Sequence, residues 1–378
     1  MNALAKQLCQ SARSKPSLQT ERRIIVLRQD KDYRHCLKEL QAAGIKPVKT
    51  DSSLRLICCH TDRRLSWQRL IDHPRVAYVE RDHKVKAHGL LRMKAKSTAG
   101  IARIPWNINR VKAPPVWKAS NSGAGVKVAI IDTGIARHPD LRIAGGVNTL
   151  GGRSFADDNG HGTHVAGIAA AKGNKKIYGT APRVRLYAVK VLDASGSGFI
   201  TDIVEGIEWC LSRGIKIMNM SFGLVGESKA LRDAVRRARR RGAVMVASAG
   251  NNGRLFTQIE APARYPETLA VAAVSRGNRV AAFSSRGKGI DLSAPGINIY
   301  STWLKGTYRR ESGTSMSSPH VTGAAALLRA IKPGLSATEV SRKLTKSALR
   351  IPGGIRAVGQ GLLQVSTAAR TLSNKRRK

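Results

Sequence analysis

Short, nearly continuous apolar runs alternate with helical patterns through most of the chain. The runs are VKVAII (126–131), RLYAVKVL (185–192), IKIMNM (215–220), AVMVAS (243–248) and LAVAAV (269–274). Runs of this kind are typical of strands that are buried on both faces of a parallel sheet. Helical patterns separate them, at residues 161–171, 201–212, 228–241 and 315–331. The alternation predicts an α/β domain with right-handed crossovers over residues 104–370.

A smaller pattern precedes this domain. From Arg22, RRIIVLRQ predicts a strand, and DYRHCLKELQAAG predicts an amphipathic helix that ends at Gly44. The segments KPVKT, SLRLICC, SWQRLIDH and VAYVERD then predict two strands, a helix and a strand. This order predicts a small ferredoxin-like α+β domain over residues 21–88. We interpret residues 1–20 as a disordered lead, 89–103 as a basic linker that contains the processing site, and 371–378 as a basic tail.

Composition and charge limit the classes of protein. The chain has 378 residues, 42% of them hydrophobic, which is enough for one large domain and one smaller one. The formal net charge is +42 at pH 7, and such an excess attracts nucleic acid and anionic surfaces whatever the fold. We interpret it as a solvated basic surface that binds polyanions incidentally. A dedicated polyanion site at the run RRARRR (236–241) is the alternative.

The cysteines and the apolar segments give two further expectations. The five cysteines are odd in number and show no zinc-ligand spacing, so we expect reduced thiols. No stretch is apolar enough for a signal-peptide core or a membrane span. We therefore expect no secretion signal and no membrane insertion in the chain as given, and the compartment stays open.

Three segments carry candidate chemistry. In VAIIDTG, Asp132 follows a strand at the edge where open α/β sheets place their sites, although an aspartate there is often only a helix cap. In NGHGTHVAG, His161 begins a small-residue helix. His164 follows three residues later and is interpreted as structural, with a His-x-x-His metal pair as the alternative. In SGTSMSSPH, Ser315 opens an apolar helix, where a serine is also a candidate cap.

The three residues make chemical sense as a set. A serine is a poor nucleophile until an imidazole takes its proton, and the imidazole needs a carboxylate to fix its tautomer and stabilise its cation. Asp132, His161 and Ser315 occur in the chain order that subtilisin has. The set therefore predicts a serine hydrolase.

The chain resembles the bacterial subtilisins in several segments. IIDTGI, NGHGTHVAG and GTSMSSPHVTGAAALL resemble their three active-site segments, and LYAVKVL, GSGFITDIVEGIEW, MNMSFG, ASAGNNG and LSAPG are also similar. The resemblance covers nearly all of residues 104–370. It implies a subtilisin-like three-layer fold with a mostly parallel central sheet, and a serine endopeptidase that acts on polypeptides. The smaller domain, which ends in YVERDHKVKAH, resembles the family's propeptide, an intramolecular chaperone and inhibitor.

The resemblance also implies the roles of single residues. Ser315 would attack the scissile carbonyl, His161 would act as general base and then as general acid, and Asp132 would orient His161. Asn251 would bind the oxyanion with its amide, beside the N–H of Ser315. Substrate would lie between two backbone edges, Ser221–Phe222–Gly223 and Gly196–Ser197–Gly198, and pair with them as an added strand.

Glu260 is a departure from the family pattern. It stands in QIEAPARYP, which by resemblance forms the pocket for the residue before the cut, where many relatives carry a small residue. A carboxylate in that pocket would favour Lys or Arg, and Arg92, Lys94 and Lys96 in the linker would then suit self-cleavage. The alternative is that Glu260 faces solvent.

The second departure concerns calcium. Many subtilisins hold Ca²⁺ with an aspartate from an HPDL segment, here Asp140, and with carbonyls from the loop after the catalytic-histidine helix. That loop reads AKGNKKIYG, is a residue short, and carries Lys175 and Lys176, whose charges oppose cation binding unless they point away. Calcium is thus possible as a structural ion, and the chemistry requires no cofactor.

Two rival functions can be compared with the protease. A catalytically inactive scaffold would have lost a triad residue or the oxyanion donor, and all four are present. A basic nucleic-acid-binding protein would explain the charge but not the active-site segments. We expect a monomeric, self-processing serine endopeptidase with polypeptide substrates and its own propeptide as inhibitor.

Overall fold

The computed structural model describes residues 3–64, 66–89, 103–254 and 258–373. The chain divides into two compact units. The first contains the residues up to Lys84, together with Phe199–Glu205 and Ser228–Ala234. The second contains Val85–Gly198, Gly206–Glu227 and the chain from Val235 onward.

The first unit is an antiparallel sheet with helices. Its elements along the chain are α1 (Ala3–Ser11), β1 (Ala12–Arg13), β2 (Thr20–Leu27), α2 (Asp30–Ala42), β3 (Lys49–Asp51), β4 (Leu56–Asp62), α3 (Gln68–Ile71) and β5 (Val76–Arg81). Strands β3, β4, β2 and β5 pair side by side in that order, all antiparallel. From β2 to β5 the predicted order of strand, helix, two strands, helix and strand is confirmed.

The interpretation of residues 1–20 as a disordered lead is wrong for the described residues. Leu4 and Leu8 of α1 are each 1% exposed and join the apolar cluster of the first unit. Ala12 of β1 pairs with Thr61 of β4. The helix was missed because its apolar face is short and lies among polar residues, yet the spacing of four residues places Leu4 and Leu8 on one face. The basic tail predicted over 371–378 is wrong for residues 371–373, which are the end of a helix, Val365–Ser373. Residues 374–378, and residues 90–102 of the predicted linker, lie outside the described residues.

The elements from Lys84 onward alternate between strands and helices, as the sequence predicts for the larger domain. The strands are β6 (Lys84–Ala87), β7 (Lys127–Asp132), β8 (Ile143–Asn148), β9 (Arg185–Lys190), β10 (Ser197–Phe199), β11 (Ile217–Met220), β12 (Phe222–Gly223), β13 (Val244–Ser248), β14 (Thr268–Val274), β15 (Ile290–Pro295), β16 (Ile299–Thr302) and β17 (Tyr308–Glu311). The helices are α4 (Trp106–Arg110), α5 (His161–Ala170), α6 (Ile200–Ser212), α7 (Lys229–Arg240), α8 (Thr314–Ile331), α9 (Ala337–Lys346), α10 (Ile355–Val358) and α11 (Val365–Ser373).

A parallel sheet forms the centre of the second unit. Its strand order is β15-β14-β13-β11-β7-β9-β8, and every neighbouring pair is parallel. All five predicted apolar runs are confirmed as strands of this sheet. The strands at the two edges, β8 and β15, were not among those runs. Two glycines interrupt the apolar pattern of β8, and Asp291 and Ser293 interrupt that of β15, as is tolerable where a strand has a neighbour on one side only.

Helices cover both faces of the sheet. On β7, Ile130 belongs to the apolar cluster that contains Val321 and Leu327 of α8. Ile131 points to the opposite face, where a methyl carbon of its side chain lies within 3.9 Å of the Cβ position of Gly206 on α6. Because successive side chains of a strand alternate between faces, the two contacts define a helix layer on each side. The predicted three-layer α/β fold is therefore confirmed.

Helix α8 is the central helix of this unit, and its residues from Thr314 to Leu328 are all buried. Small residues allow the close approach that such burial requires. A Cβ added to Gly323 would lie 2.5 Å from the Cβ of Thr180 and 3.1 Å from the carbonyl oxygen of Ala169. Gly323 thus allows α8 to lie directly against Thr180 and Ala169.

We expect the apolar contacts of α8 to contribute strongly to stability. In a Ser315→Ala background, which we expect to prevent self-digestion, Leu327→Ala should lower the free energy of unfolding by about 2–5 kcal/mol, since it leaves a cavity at a fully buried position. Ile355→Ala is the control because Ile355 is 63% exposed, and it should change the free energy by no more than about 0.5 kcal/mol. Urea unfolding followed by circular dichroism measures both. Equal effects would contradict the assigned core.

Candidate active site

Three of the predicted site residues lie at the ends of core elements in the second unit. Asp132 is the last residue of β7, His161 is the first residue of α5, and Ser315 is the second residue of α8. Oδ1 of Asp132 lies 2.7 Å from Nδ1 of His161, and all three side chains are buried. Asp132 and His161, which are far apart in sequence, thus meet at the carboxyl edge of a parallel sheet, where open α/β folds place their sites.

Glycines make the approach of β7 to α5 possible. A Cβ on Gly162 would lie 2.2 Å from the carbonyl oxygen of Gly134 and 3.2 Å from the Cβ of Asp132. Gly134 has a φ of +102° and Gly160 a φ of +104°, a region that L residues rarely adopt. The segments DTG and GHG therefore need their glycines so that the imidazole can reach the carboxylate.

Asp157 holds the start of α5 in place, and sequence reasoning missed it. Its carboxylate accepts hydrogen bonds from the backbone N–H groups of Gly160 and Thr163, at 2.9 Å each, and from the hydroxyls of Thr163 and Thr133. Thr133 also accepts a bond from the N–H of Gly162. The available signal was an aspartate four residues before the histidine, where it can cap the helix.

The environment of His161 sets its tautomer and raises its pKa. Burial disfavours the cation, but the charge of Asp132 and the hydrogen bond to it outweigh burial and raise the pKa of His161 above its ordinary value. Because the carboxylate only accepts, Nδ1 carries a proton. Nε2 of His161 has no hydrogen-bond partner among the described residues, so its lone pair is available in the neutral ring.

Ser315 is held against a neighbouring strand end. Its hydroxyl donates to the carbonyl oxygen of Ser221 at 3.2 Å rather than to His161. Ser221 in turn contacts the hydroxyl of Ser318 at 3.0 Å. Hydrogen bonds between nucleophile and base are often long or poorly aligned until substrate is bound, and a rotation about the Cα–Cβ bond of Ser315 redirects the hydroxyl.

The side chain of Asn251 is oriented by Thr314. Its Oδ1 accepts bonds from the N–H and the hydroxyl of Thr314, at 3.0 and 2.9 Å. Its Nδ2 therefore points the other way and donates to the carbonyl oxygen of Gly89 at 3.0 Å. Thr314, the residue before Ser315, was not identified as a site residue from the sequence, although it fixes which side of the amide faces the cleft.

The two predicted substrate edges bind a strand of this chain. In β6, Ala87 is paired with Phe222 and Lys86 with Gly223, antiparallel. The N–H of His88 donates to the carbonyl oxygen of Ser221 at 3.3 Å, and on the other side the N–H of Ala87 donates to Gly196 at 2.8 Å. The edges Ser221–Phe222–Gly223 and Gly196–Ser197–Gly198 thus accept an extended segment between them by main-chain hydrogen bonds.

Glu260 points inward, so the alternative in which it faces solvent is wrong. Its side chain is 12% exposed, and Oε2 lies 3.0 Å from Nε2 of His88. Oε1 accepts a short hydrogen bond from the amide of Asn252. Burial would raise the pKa of Glu260, but the hydrogen bond and charge of His88, with the Asn252 amide, outweigh it and lower the pKa. A Cβ on Gly223 would lie 1.7 Å from Oε2, so the glycine is required for Glu260 to enter the pocket.

His164 is structural, so the interpretation of a His-x-x-His metal pair is wrong. Its Nε2 lies 3.1 Å from each of the carbonyl oxygens of Ile299 and Arg309, and burial lowers the pKa of His164 to about 3. Within the described ranges, no group of three or more His, Cys, Asp and Glu side chains is placed to hold a metal ion. Asp140, the candidate calcium ligand, instead accepts hydrogen bonds from backbone N–H groups of the following loop.

Comparison with known proteins identifies the family. Residues 123–370 match the model of the subtilase family. The chain belongs to the subtilases. It is 42% identical to an alkaline protease of Alkalihalobacillus alcalophilus over 299 residues, 79% of this chain and 75% of the relative. It is 44% identical to Subtilisin Savinase of Lederbergia lenta over 269 residues, 71% of this chain and 99% of the relative.

A third relative extends the same result. Subtilisin DY of Bacillus licheniformis is 46% identical over 271 residues, 70% of this chain and 98% of the relative. This subtilase is therefore a subtilisin-like serine endopeptidase that acts on polypeptides, and its chemistry requires no cofactor. In the part of the chain that the structure describes, no helix combines the length and the apolar character needed to cross a membrane.

We expect His161, alone among His161, His164 and His320, to have a pKa above the ordinary value of a histidine. Burial lowers the pKa of His320 to about 4, and that of His164 to about 3, so both rings stay neutral between about pH 5 and 8. The pKa of His161 should exceed 6.5, so its ring should be protonated at pH values below that pKa and neutral at pH values above it. Long-range ¹H–¹⁵N spectra of the imidazoles in the Ser315→Ala protein measure all three.

The control is Asp132→Asn, which removes the charge that favours the imidazolium. It should lower the pKa of His161 and leave the spectra of His164 and His320 unchanged. A His161 pKa at or below the ordinary value of 6.5 in the Ser315→Ala protein with Asp132 intact would contradict the role given to Asp132.

Proposed function

We propose that Ser315, His161 and Asp132 form the catalytic triad of this subtilase, with Asn251 as the oxyanion donor. The observation that supports this most directly is the buried 2.7 Å contact between Asp132 and His161, whose Nε2 accepts no other bond among the described residues. Ser315 and the amide of Asn251 lie at the start of the same helix, α8.

The reaction then proceeds in two halves. Oγ of Ser315 attacks the scissile carbonyl carbon as its proton passes to Nε2 of His161, and the charge of Asp132 stabilises the imidazolium that forms. The amide of Asn251 and the N–H of Ser315 bind the carbonyl oxygen as it becomes negative. His161 then returns the proton to the departing amine. A water molecule repeats the sequence on the acyl-enzyme, which releases the acid and restores the serine.

We further propose that the residues up to His88 are a propeptide. Segment 85–88 occupies the cleft edges in the extended pairing expected of a substrate. Within the first unit, the carboxylate of Glu80 accepts bonds from Ser228 and from the N–H of Lys229, at the start of α7. Asp82 accepts bonds from Thr201 at the start of α6. Carboxylates at helix N-termini stabilise those helices, and this supports a chaperone role.

The first self-cleavage is proposed between His88 and Gly89. The main chain of His88 binds Ser221, and its side chain enters the Glu260 pocket. The amide of Asn251 contacts the carbonyl of Gly89, one residue further along, so the cut requires the carbonyl of His88 to take its place. The basic linker residues proposed as the processing site from the sequence lie outside the described residues.

Self-processing tests the triad and the cut together. The unsubstituted chain should convert with time to a shorter product whose first new N-terminus is Gly89, and Ser315→Ala should remain at full length because it lacks the nucleophile. N-terminal sequencing of early time points measures the cut. A first product that begins after Arg92, Lys94 or Lys96 would reject the proposed bond, and cleavage by Ser315→Ala alone would reject the triad.

We propose that Glu260 makes the pocket selective for cationic side chains. The neighbouring cavity of about 250 Å³ is lined by Val225, Gly226, Asn252, Gln258, Ile259, Glu260 and Arg264. A buried carboxylate forms its strongest hydrogen bonds with charged donors, and His88 occupies that position here. Arg264 also acts on the charge of Glu260 and limits the size of the preference.

The mature enzyme should therefore cleave peptides with Lys, Arg or protonated His before the cut faster than matched Leu or Phe peptides. Glu260→Gln should lower kcat/KM for the cationic peptides by about 10–100-fold, the value of one charge-assisted hydrogen bond, and leave the Leu peptide within about 3-fold. Glu205→Gln is the matched control, since that side chain is 47% exposed and pairs with Lys49, which is not a residue of the pocket. Equal rates for all peptides in the unsubstituted enzyme would reject this specificity.

Part of the basic charge is engaged inside the second unit. Arg236 contacts Glu267, Arg237 contacts Glu208, and Arg239 donates to Ser341. These contacts support the interpretation of the arginine run as a structural and solvated surface, with incidental polyanion binding. We retain the monomer as the expected state.

A further inference from the structure

The loop after α5 contacts a buried carboxylate in a way that opposes cation binding. Asp140 is fully buried. Its Oδ1 accepts from the N–H of Lys175 at 2.5 Å, and its Oδ2 accepts from the N–H groups of Lys176 and Ile177 at 3.0 and 2.9 Å. The hydroxyl of Tyr308 donates to Oδ2 at 2.7 Å. Both carboxylate oxygens are therefore engaged by donors.

The polarity of the loop is the opposite of what a calcium ion needs. Ca²⁺ takes 6–8 oxygen ligands at about 2.3–2.6 Å, so a loop that binds it must turn carbonyl oxygens inward. Here three successive N–H groups, of Lys175, Lys176 and Ile177, face inward. Successive inward N–H groups form a concavity for an anion, and the anion present is the carboxylate of Asp140.

Carbonyl groups of the same loop are engaged elsewhere. The carbonyl oxygen of Gly173 accepts from both Nε and an Nη of Arg103, at 3.2 and 2.6 Å. The carbonyl oxygen of Ile177 accepts from the N–H of Gly173 at 2.9 Å. A calcium ion would have to displace these bonds as well as those on Asp140.

A side-chain cation is also held over the tyrosine whose hydroxyl binds the carboxylate. Nζ of Lys176 lies 5.4 Å from the ring centre of Tyr300 and 5.3 Å from that of Tyr308, whose hydroxyl binds Asp140. The stacked tyrosine rings hold this ammonium group by cation–π contact. Its charge opposes the approach of a divalent cation and is compatible with the carboxylate.

We propose that this subtilase binds no calcium at the Asp140 loop, and that the Asp140 carboxylate, held by the N–H groups of 175–177 and by Tyr308, fixes the loop in its place. The segment AKGNKKIYG supplies N–H donors and lysines where the resemblance to subtilisins leads one to expect carbonyl ligands. The stability of the loop then depends on residues of the chain and not on the metal content of the medium.

Thermal unfolding of the full-length Ser315→Ala protein tests the proposal without reference to activity. The melting temperature Tm in EDTA and in 10 mM CaCl₂ should agree within about 1 °C. A tight site at a thousandfold excess of ligand over Kd would instead raise Tm by about 8–16 °C for a domain of this size. Asp140→Asn should lower Tm by about 5–15 °C in both media, because its amide group meets N–H donors that need an acceptor.

Two controls separate the clamp from other effects. Glu227→Gln removes one negative charge at an exposed position and should leave Tm unchanged. If Asp140→Asn does not fold, Tyr308→Phe removes only one of the four donors and should give a smaller drop in Tm, again equal in both media.

Terbium luminescence gives a direct second readout. Tb³⁺ bound beside Asp140 would be excited through Tyr308, whose hydroxyl is 2.7 Å from the carboxylate, and we expect no saturable signal that Asp140→Asn removes. A calcium-dependent rise in Tm that Asp140→Asn or Tyr308→Phe abolishes would overturn the proposal. An equal rise in all variants would assign the ion to another place and leave the proposal standing.

Discussion

The proposed active site depends on one buried carboxylate whose partners are supplied by the chain itself. Asp132 is fully buried, and burial of a carboxylate costs free energy unless hydrogen bonds or a partner group compensate it. Two contacts to Oδ1 provide this compensation, the 2.7 Å contact with His161 and a 2.8 Å bond from the N–H of Thr133. The charge of Asp132 in turn raises the pKa of His161. The positive φ of Gly134, directly after β7, allows the chain to turn so that Asp132 and His161 come into contact.

The same solution recurs at two other carboxylates. Asp157 collects the N–H groups at the start of α5 and so fixes the position of His161. Asp140 collects those of the loop that follows the same helix. The chain has 66 basic and only 24 acidic residues, and two of its buried acids thus hold backbone at the two ends of the same helix, α5.

Several features could be predicted from the sequence because their physical basis is local or repeated. The apolar runs gave the central strands, since burial on both faces leaves a continuous pattern. Helix α1 was missed because two leucines among polar residues make a weak pattern whose burial depends on a distant sheet. The edge strands β8 and β15 were missed because a strand with one neighbour does not need a continuous run.

Some site residues could likewise be predicted from local sequence, and others depend on contacts between distant segments. Asp132, His161 and Ser315 stand in segments whose glycines and order carry chemical meaning. The direction of Glu260 and the polarity of the Asp140 loop depend on backbone orientation, which residue identity does not determine. Thr314 orients Asn251 only because the two segments meet in three dimensions.

Under the proposed function, segment 85–89 raises the question of what separates a bound strand from a substrate. Ala87 and His88 use the same edges that a substrate would use, and the side chain of His88 reaches Glu260. Yet the amide of Asn251 contacts the carbonyl of Gly89, and the hydroxyl of Ser315 donates to Ser221. The main-chain hydrogen bonds of the segment are therefore formed although the hydroxyl of Ser315 and the carbonyl of His88 are not yet aligned for reaction. Because such pairing holds ground state and transition state equally, it gives affinity without rate. The segment then passes from bound inhibitor to cleaved substrate when the carbonyl of His88 moves to the amide of Asn251 and the hydroxyl of Ser315 rotates away from Ser221.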